Sequence, residues 1–248
     1  MVKTEQREYR RMLYLDYIFR VAGFLRIQQW LRCTDLKNGL FRSLTTSATG
    51  ETLKSNIVET LIMDKELRGV GSVIALLWVV HAIDWMIPVD FNDYGLVPRT
   101  TSGMIGIVTM PFLHGNWGHL MSNTVPLAVL LFIVCGLRDD VWDVVGSIVI
   151  VGGVLLWCFG REAVHVGASG LVYGLMGFLI ASGFAQKRII PILVSLVVGF
   201  FYGSSLLFGI LPTAGKSVSW DGHLCGAIAG VLTAYVLAKT PEVSGASV

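Results

Sequence analysis

Long stretches without a charged residue divide this chain into regular apolar segments. No Asp, Glu, Lys or Arg occurs in six intervals, at 69–83, 100–137, 144–160, 163–186, 189–215 and 222–238. A helix that crosses a bilayer needs about 20 largely apolar residues. The pattern therefore predicts six spanning helices, near 69–87, 118–137, 141–159, 168–184, 188–210 and 222–238. Strands are not expected, because the alternating pattern of a membrane barrel is missing.

Composition and charge support an all-α membrane protein. Hydrophobic residues make up 54% of the chain and charged residues 15%, and the mean hydropathy is +0.67. Residues 1–68 contain 12 of the 19 basic residues. With six spans, the side opposite to the termini keeps only Arg99, Arg161 and Lys216. Because basic residues concentrate on the cytoplasmic side, we predict a multi-pass protein of the cell membrane with cytoplasmic N- and C-termini, and no nucleic-acid partner.

Three regions lie outside the predicted spans. Residues 1–68 are predicted as a separate cytoplasmic segment, in which 7–32 form either an amphipathic helix on the inner leaflet or part of a small soluble appendage. Residues 45–55 are interpreted as a flexible linker, and 239–248 as a short cytoplasmic tail. The connection at 88–117 is too long for a structureless loop. We expect it to be a packed element that serves a site in the domain at 69–238.

Two polar residues, Ser169 and His223, are predicted at the outer starts of the fourth and sixth spans. Both helices run inward from the same face, so the two side chains lie at similar depth. Small residues four apart let helices approach closely, and both spans have such pairs, at Gly170 and Gly174 and at Gly226 and Gly230. The interpretation is a catalytic dyad in which His223 takes the proton of the Ser169 hydroxyl across about 2.6–3.2 Å.

Further polar residues could complete such a site. His119 and Asn123 share one face at the start of the second span and could donate hydrogen bonds to an oxyanion. His114, in the loop above that face, could add a donor or hold the loop. Tyr173 could pack its ring against His223 in place of a triad aspartate, since Asp221 is expected to point elsewhere.

Each of these features also has a structural interpretation. A serine or a Gly-x-x-x-Gly pair in a span is more typical of helix contacts than of catalysis. His81 is interpreted as a satisfied interior residue near Asp84, and His165 as a loop residue. His114 and His119 lack further ligands at metal-binding spacing, so no metal and no cofactor are predicted. The four cysteines are interpreted as buried small residues: Cys33, Cys135, Cys158 and Cys225.

Three separated motifs resemble those of the rhomboid intramembrane serine proteases: "HGNWGHLMSN", "GASGLVYGLMG" and "DGHLCGAIAG". The resemblance implies that Ser169 is the nucleophile and His223 the general base. It also implies that the Ser169 backbone N–H joins His119 and Asn123 as oxyanion donors. The other matched positions are His114, Gly167, Gly170, Tyr173, Gly226 and Gly230.

The resemblance further implies a function and an architecture. Members cleave single-span membrane proteins without a cofactor, through a cavity open to the outer side, with a membrane-embedded first loop and a fifth span that gates lateral access. The Trp-Arg pair of that loop is absent here, and Arg99 stands in the corresponding stretch. We therefore expect an intramembrane serine endopeptidase whose partners are transmembrane substrates and the lipid bilayer. The alternatives are a non-catalytic rhomboid-like protein that binds transmembrane helices and, less well supported, a small-solute transporter, which should show two similar halves.

Overall fold

The computed structural model describes the backbone of residues 50–212 and 218–239, and the side chains of 65–212 and 218–238. Within these residues six long helices are formed, each apolar enough over at least 18 residues to cross a membrane. They are α1 (Gly50–Met86), α2 (Trp117–Leu137), α3 (Val141–Phe159), α4 (Ser169–Gln186), α5 (Ile189–Gly209) and α6 (Trp220–Lys239). The prediction of an all-helical, six-span protein is confirmed, and this is a multi-pass membrane protein.

The start of α1 corrects the sequence prediction. Residues 50–55 belong to this helix, so the interpretation of 45–55 as a flexible linker is wrong for its second half. Glu51, Leu53 and Lys54 are good helix formers. The predicted amphipathic helix at 7–32 and Cys33 lie outside the described residues. Of the tail predicted at 239–248, Lys239 is the last residue of α6, and the other residues lie outside the described part. Contacts group the chain into units 1–67 and 68–248, and the site lies in the second.

Helix α4 is the central helix of the second unit. Eleven of its 18 residues are buried, whereas α5 buries only Ser195 and Val198. Leu175, Phe178 and Leu179 are almost completely inaccessible and belong to the main hydrophobic cluster. The nucleophile candidate therefore stands at the end of the best-anchored helix of the unit.

Glycines bring α4 and α6 together backbone against backbone. A Cβ added to Gly226 would collide with the Gly170 carbonyl oxygen, and one added to Gly230 would collide with that of Gly174. A Cβ on Gly177 would lie 2.5 Å from the Ala227 carbonyl oxygen. The contacts progress in the same direction along both helices, so α4 and α6 run parallel, as the sequence predicted.

The connection between α1 and α2, residues 87–116, is a packed loop, here called loop L1. Leu96 exchanges backbone hydrogen bonds of 3.0 and 2.8 Å with His165. Arg99, whose φ of 58° is left-handed, donates from Nη1 to the Gly160 carbonyl at the end of α3 over 2.7 Å. The Trp157 indole donates to the Thr100 carbonyl over 2.9 Å. The expectation of an ordered element in place of a structureless loop is confirmed.

Candidate active site

Ser169 is the first residue of α4 and follows a sharp turn. Gly167 has φ +114°, a conformation that costs glycine little and other residues much. Its N–H donates to the Met110 carbonyl over 2.9 Å, which ties the turn to loop L1. The first N–H groups of a helix lack intrahelical acceptors and carry the positive end of the dipole. Ser169 is therefore presented beside donors suited to a developing anion.

Two side chains of α2 meet at this turn. A Cβ placed on Gly167 would lie 2.6 Å from His119 Nε2 and 3.4 Å from Asn123 Nδ2. Asn116 caps α2 and accepts from the His119 N–H over 2.8 Å, which fixes the first turn of the helix. Asn123 is 5% exposed, and its buried Nδ2 has no hydrogen-bond partner. A buried amide donor without a partner is uncommon and calls for an explanation.

His223 lies on the first turn of α6 and is held on two sides. Its ring stacks on that of Tyr173, with centroids 4.0 Å apart and planes 8° from parallel. This confirms the expected contact between the two rings. Its Nδ1 lies 2.9 Å from the Gly209 carbonyl oxygen, at the end of α5. A carbonyl only accepts, so the proton sits on Nδ1 and the neutral ring keeps Nε2 as an acceptor.

The backbones beside Ser169 and His223 come together. A Cβ on Gly170 would lie 3.5 Å from the Gly222 carbonyl oxygen, so the residue after Ser169 reaches the residue before His223. Among the described residues, no hydrogen bond joins the Ser169 hydroxyl to His223. The predicted close approach of the helices is found, while the predicted hydrogen bond is not formed in this state.

His114 lies against the same turn. It is 1% exposed, its Nε2 is 3.5 Å from the Ala168 N–H, and its ring meets His119 edge to face at 5.2 Å. Burial, followed by the neighbouring His119, lowers the pKa of His114 to about 4. His114 is thus neutral at neutral pH and lies where it can hold the turn before Ser169.

His81 differs from its predicted role as a satisfied interior residue. It is buried, but neither ring nitrogen has a hydrogen-bond partner. The expected neighbour Asp84 instead accepts from the Phe91 N–H over 2.7 Å. The ring of His81 meets Trp117 edge to face at 4.5 Å. The interior position was right, and the satisfied state was wrong, because Asp84 binds the start of loop L1.

A second polar cluster, which sequence reasoning missed, fastens the start of α6. His165 is 2% exposed, and its Nδ1 lies 2.7 Å from Ser219 Oγ. Asp221 accepts from the Arg161 N–H over 2.8 Å and from Arg161 Nε over 3.3 Å. His165 therefore connects its loop to the residue before α6. Asp221 is directed to Arg161 and away from His223, as expected. Nothing in the sequence pairs residues 161 and 221 before the fold is known.

The remaining histidines, cysteines and acidic residues are the side chains that could form a metal site. Among the described residues, no three His, Cys, Asp or Glu side chains are arranged to hold a metal ion. Cys225 is buried, as predicted, whereas Cys135 and Cys158 are only partly buried. Nor did the sequence point to the Gly209 carbonyl, because a backbone acceptor has no residue signature.

Comparisons with known proteins agree with this architecture. The family model of the rhomboid domain matches residues 101–240. An uncharacterized protein of Mycobacterium tuberculosis is 41% identical over 179 residues, covering 68% of this chain and 73% of that protein. An uncharacterized protein of Mycobacterium leprae is 39% identical over 178 residues, covering 68% and 69%.

A more distant relative carries the family name. A chloroplastic rhomboid-like protein of Arabidopsis thaliana is 30% identical over 157 residues, covering 55% of this chain and 54% of that protein. No solved structure matches significantly. With the domain match spanning more than half of the chain, and six helices of membrane-spanning length among the described residues, this protein belongs to the rhomboid family.

Proposed function

We propose that this protein is an intramembrane serine endopeptidase that cleaves single-span membrane proteins with a Ser169–His223 dyad. The observation that carries the proposal is the convergence of three groups. Ser169 begins α4, His223 keeps Nε2 as a proton acceptor, and the Asn123 amide is buried without a partner. Acyl transfer needs a nucleophile, a base and oxyanion donors within reach of one carbonyl.

The chemistry follows from these roles. Ser169 Oγ attacks the scissile carbonyl while His223 Nε2 takes the hydroxyl proton, and the carbonyl oxygen becomes an oxyanion. His223 then gives the proton to the leaving amine, which breaks the C–N bond and leaves an acyl-enzyme. Water, deprotonated by the same nitrogen, hydrolyses the ester and restores Ser169. The resting separation of Ser169 and His223 fits this cycle, because catalytic hydrogen bonds are often long before substrate binds.

The oxyanion donors are the Ser169 N–H, Asn123 Nδ2 and His119 Nε2. Both side chains border the Gly167 turn, so a carbonyl held over Ser169 would lie within their reach. An amide that is buried and unpartnered at rest is already desolvated, and it gains its hydrogen bond only when the oxyanion forms. Removal of one such donor costs roughly 10²–10³-fold in turnover.

The membrane context supports the proposed substrate class and orientation. Six spans leave the site at the ends of α4 and α6 within or next to the bilayer, where single-span proteins present their cleavable segments. The excess of basic residues at 1–68 supports cytoplasmic termini in the cell membrane, so the dyad faces the outer side.

Cleavage of a single-span reporter in lipid vesicles tests the proposal. The wild type and Ser72→Ala, an exposed serine of α1, should cleave it, while Ser169→Ala and His223→Ala should not. Cleavage that persists in Ser169→Ala would remove the assigned nucleophile. A wild type that binds the reporter helix but cleaves no reporter would instead favour a non-catalytic rhomboid-like protein.

A further inference from the structure

The base candidate is fastened to a helix that contributes no residue to the proposed dyad or oxyanion site. The Gly209 carbonyl, the last of α5, accepts from His223 Nδ1 over 2.9 Å. One turn earlier, the Ser205 carbonyl accepts from the Tyr173 hydroxyl over 2.9 Å. Tyr173 in turn stacks on His223. The outer end of α5 therefore touches His223 both directly and through Tyr173.

The Gly209 carbonyl has a defined chemical effect on the imidazole. A neutral imidazole carries its proton on either nitrogen, and only the form with the proton on Nδ1 leaves Nε2 able to accept from Ser169. In serine proteases with a triad, an aspartate selects that form and orients the ring. Here Asp221 is engaged by Arg161, so the Gly209 carbonyl is the acceptor in contact with Nδ1.

Helix α5 is also much less buried than α4. Of its 21 residues only Ser195 and Val198 are buried. The Ser195 hydroxyl donates to the Ile180 carbonyl over 2.9 Å, nearer the inner end. Segments with little burial open at low free-energy cost. The outer end of α5 can therefore leave its two acceptor contacts while the inner end stays attached.

We propose that the Gly209 carbonyl is the positioning acceptor of His223, so that the position of α5 sets the tautomer and orientation of the base. This rests on the proposed protease function. When the outer end of α5 lies against α4, Nδ1 holds the proton and Nε2 faces Ser169. When that end moves away, the acceptor leaves with it and the base loses its orientation. Chemistry and the opening of α5 are then mutually exclusive.

Replacing the peptide bond after Gly209 by an ester tests this without changing any side chain. The α-hydroxy analogue of Ile210 makes the Gly209 carbonyl a weaker acceptor. The matched control is the α-hydroxy analogue of Leu211, which removes an N–H from the same end of α5 but leaves the Gly209 carbonyl as an amide. We expect kcat of the Ile210 ester to fall about tenfold with KM unchanged, the size of one neutral hydrogen bond, while the Leu211 ester keeps kcat within about twofold.

A spectroscopic measurement separates positioning from a structural effect. In protein with ¹⁵N-labelled histidine, the His223 signal, assigned with His223→Gln, should show a proton on Nδ1 in the wild type and a mixture of tautomers in the Ile210 ester. An unchanged tautomer together with unchanged kcat in that ester would overturn the inference.

A second variant does not depend on ester incorporation. A Cβ on Gly209 would overlap the Tyr173 hydroxyl, whereas one on Gly203 of the same helix meets nothing within 4 Å. Gly209→Ala should lower kcat about 10²-fold in protein that still unfolds cooperatively, and Gly203→Ala should not. Equal activity of these two variants beside an active wild type would overturn the inference and leave the proposed function intact. A wild type inactive on every reporter would instead refute the proposed function.

Discussion

Helix α4 contacts its parallel neighbour α6 and its antiparallel neighbour α5 in different ways. Against α6, glycine faces glycine, and an added Cβ on Gly226 would strike the Gly170 carbonyl. Against α5, the close packing lies nearer the inner end, where a Cβ on Gly183 would lie 2.7 Å from Ser195 Cβ. Hydrogen bonds join the two helices at Ser195 and Tyr173. The first interface fixes the distance between two backbones, and the second buries only two residues of α5. The candidate nucleophile and base stand on the glycine-packed interface, while the acceptor for the base stands on the less buried helix.

The difference does not follow from the glycine motif alone. Helix α5 also has a Gly-x-x-x-Gly pair, Gly199 and Gly203, yet a Cβ at either position would meet nothing within 4 Å. The pairs of α4 and α6 are buried between two helices, and the pair of α5 is not. Small residues permit two helices to approach closely. The polar residues Ser169 and His223, at the starts of α4 and α6, indicate which glycine pairs form such a contact.

Breaking the fixed interface should have the largest effect. A Cβ in Gly230→Ala would collide with the Gly174 carbonyl and lie 2.9 Å from the Phe178 N–H. Overpacking of this kind costs about 3 kcal/mol, and a shift of about 1 Å at the dyad costs roughly 10²-fold in rate. We expect Gly230→Ala to lower both the unfolding midpoint and turnover, whereas Gly199→Ala on α5 should change neither. A neutral Gly230→Ala would mean that the two helices are not closely packed.

Gly167→Ala should damage the site with little effect on the helices. A Cβ there would lie 2.6 Å from His119 Nε2, and the residue would have to hold φ +114°. We expect turnover to fall about 10²-fold, because the oxyanion donors and Ser169 are displaced from each other. The control is Gly115→Ala, where an added Cβ meets nothing within 4 Å. Comparable turnover in these two variants would argue against an oxyanion site at this turn.

Substitutions of Tyr173 separate two contributions to the orientation of His223: the ring stack and the hydrogen bond from Tyr173 to α5. Tyr173→Leu removes the ring stack, which is worth about one power of ten in rate at most. Tyr173→Phe keeps the stack and loses only the hydrogen bond to the Ser205 carbonyl. We expect kcat to fall about tenfold in the first variant and about twofold in the second, as measured with the vesicle reporter. A larger loss in Tyr173→Phe than in Tyr173→Leu would mean that the hydrogen bond to α5, and not the ring stack, orients His223.

The smallest effect concerns His114 and the stability of the turn. Its pKa is about 4 in the folded protein and about 6.5 when unfolded. The unfolded chain therefore binds the extra proton below pH 6.5, so the contribution of His114 to stability is complete above that pH and declines as the pH falls towards 4. Between pH 7.5 and 5.5 the wild type should lose about 1.4 kcal/mol more than His114→Asn. Thermal unfolding at the two pH values measures this difference. Equal losses of stability in the wild type and in His114→Asn would mean that His114 is exposed to solvent.

The sequence was sufficient for the spans because hydropathy and length decide them. It missed the start of α1, where Thr52 and Ser55 suggested a linker although Glu51, Leu53 and Lys54 favour a helix. In general, a mixed polar segment next to a span can either continue the helix or end it, and local composition does not separate the two.

Site residues were predictable where one helix supplies the spacing. The i, i+4 relation of His119 to Asn123 followed from helix geometry. The ring of Tyr173 on His223 followed from its place one turn below Ser169 together with the glycine pairs that bring α4 and α6 together. Contacts that join distant segments were not predictable: Arg161 with Asp221, His165 with Ser219, and the Gly209 carbonyl with His223. The first two need the fold to bring loops together, and the third uses a backbone atom that every residue has.

The most direct measurement of the central claim is a structure of the protein in lipid after reaction with a fluorophosphonate. The account predicts a phosphorus–oxygen bond to Ser169 Oγ, His223 Nε2 within hydrogen-bonding distance of that oxygen, and the phosphonyl oxygen about 3 Å from Asn123 Nδ2 and His119 Nε2. An adduct on another residue, or a phosphonyl oxygen directed away from α2, would contradict it.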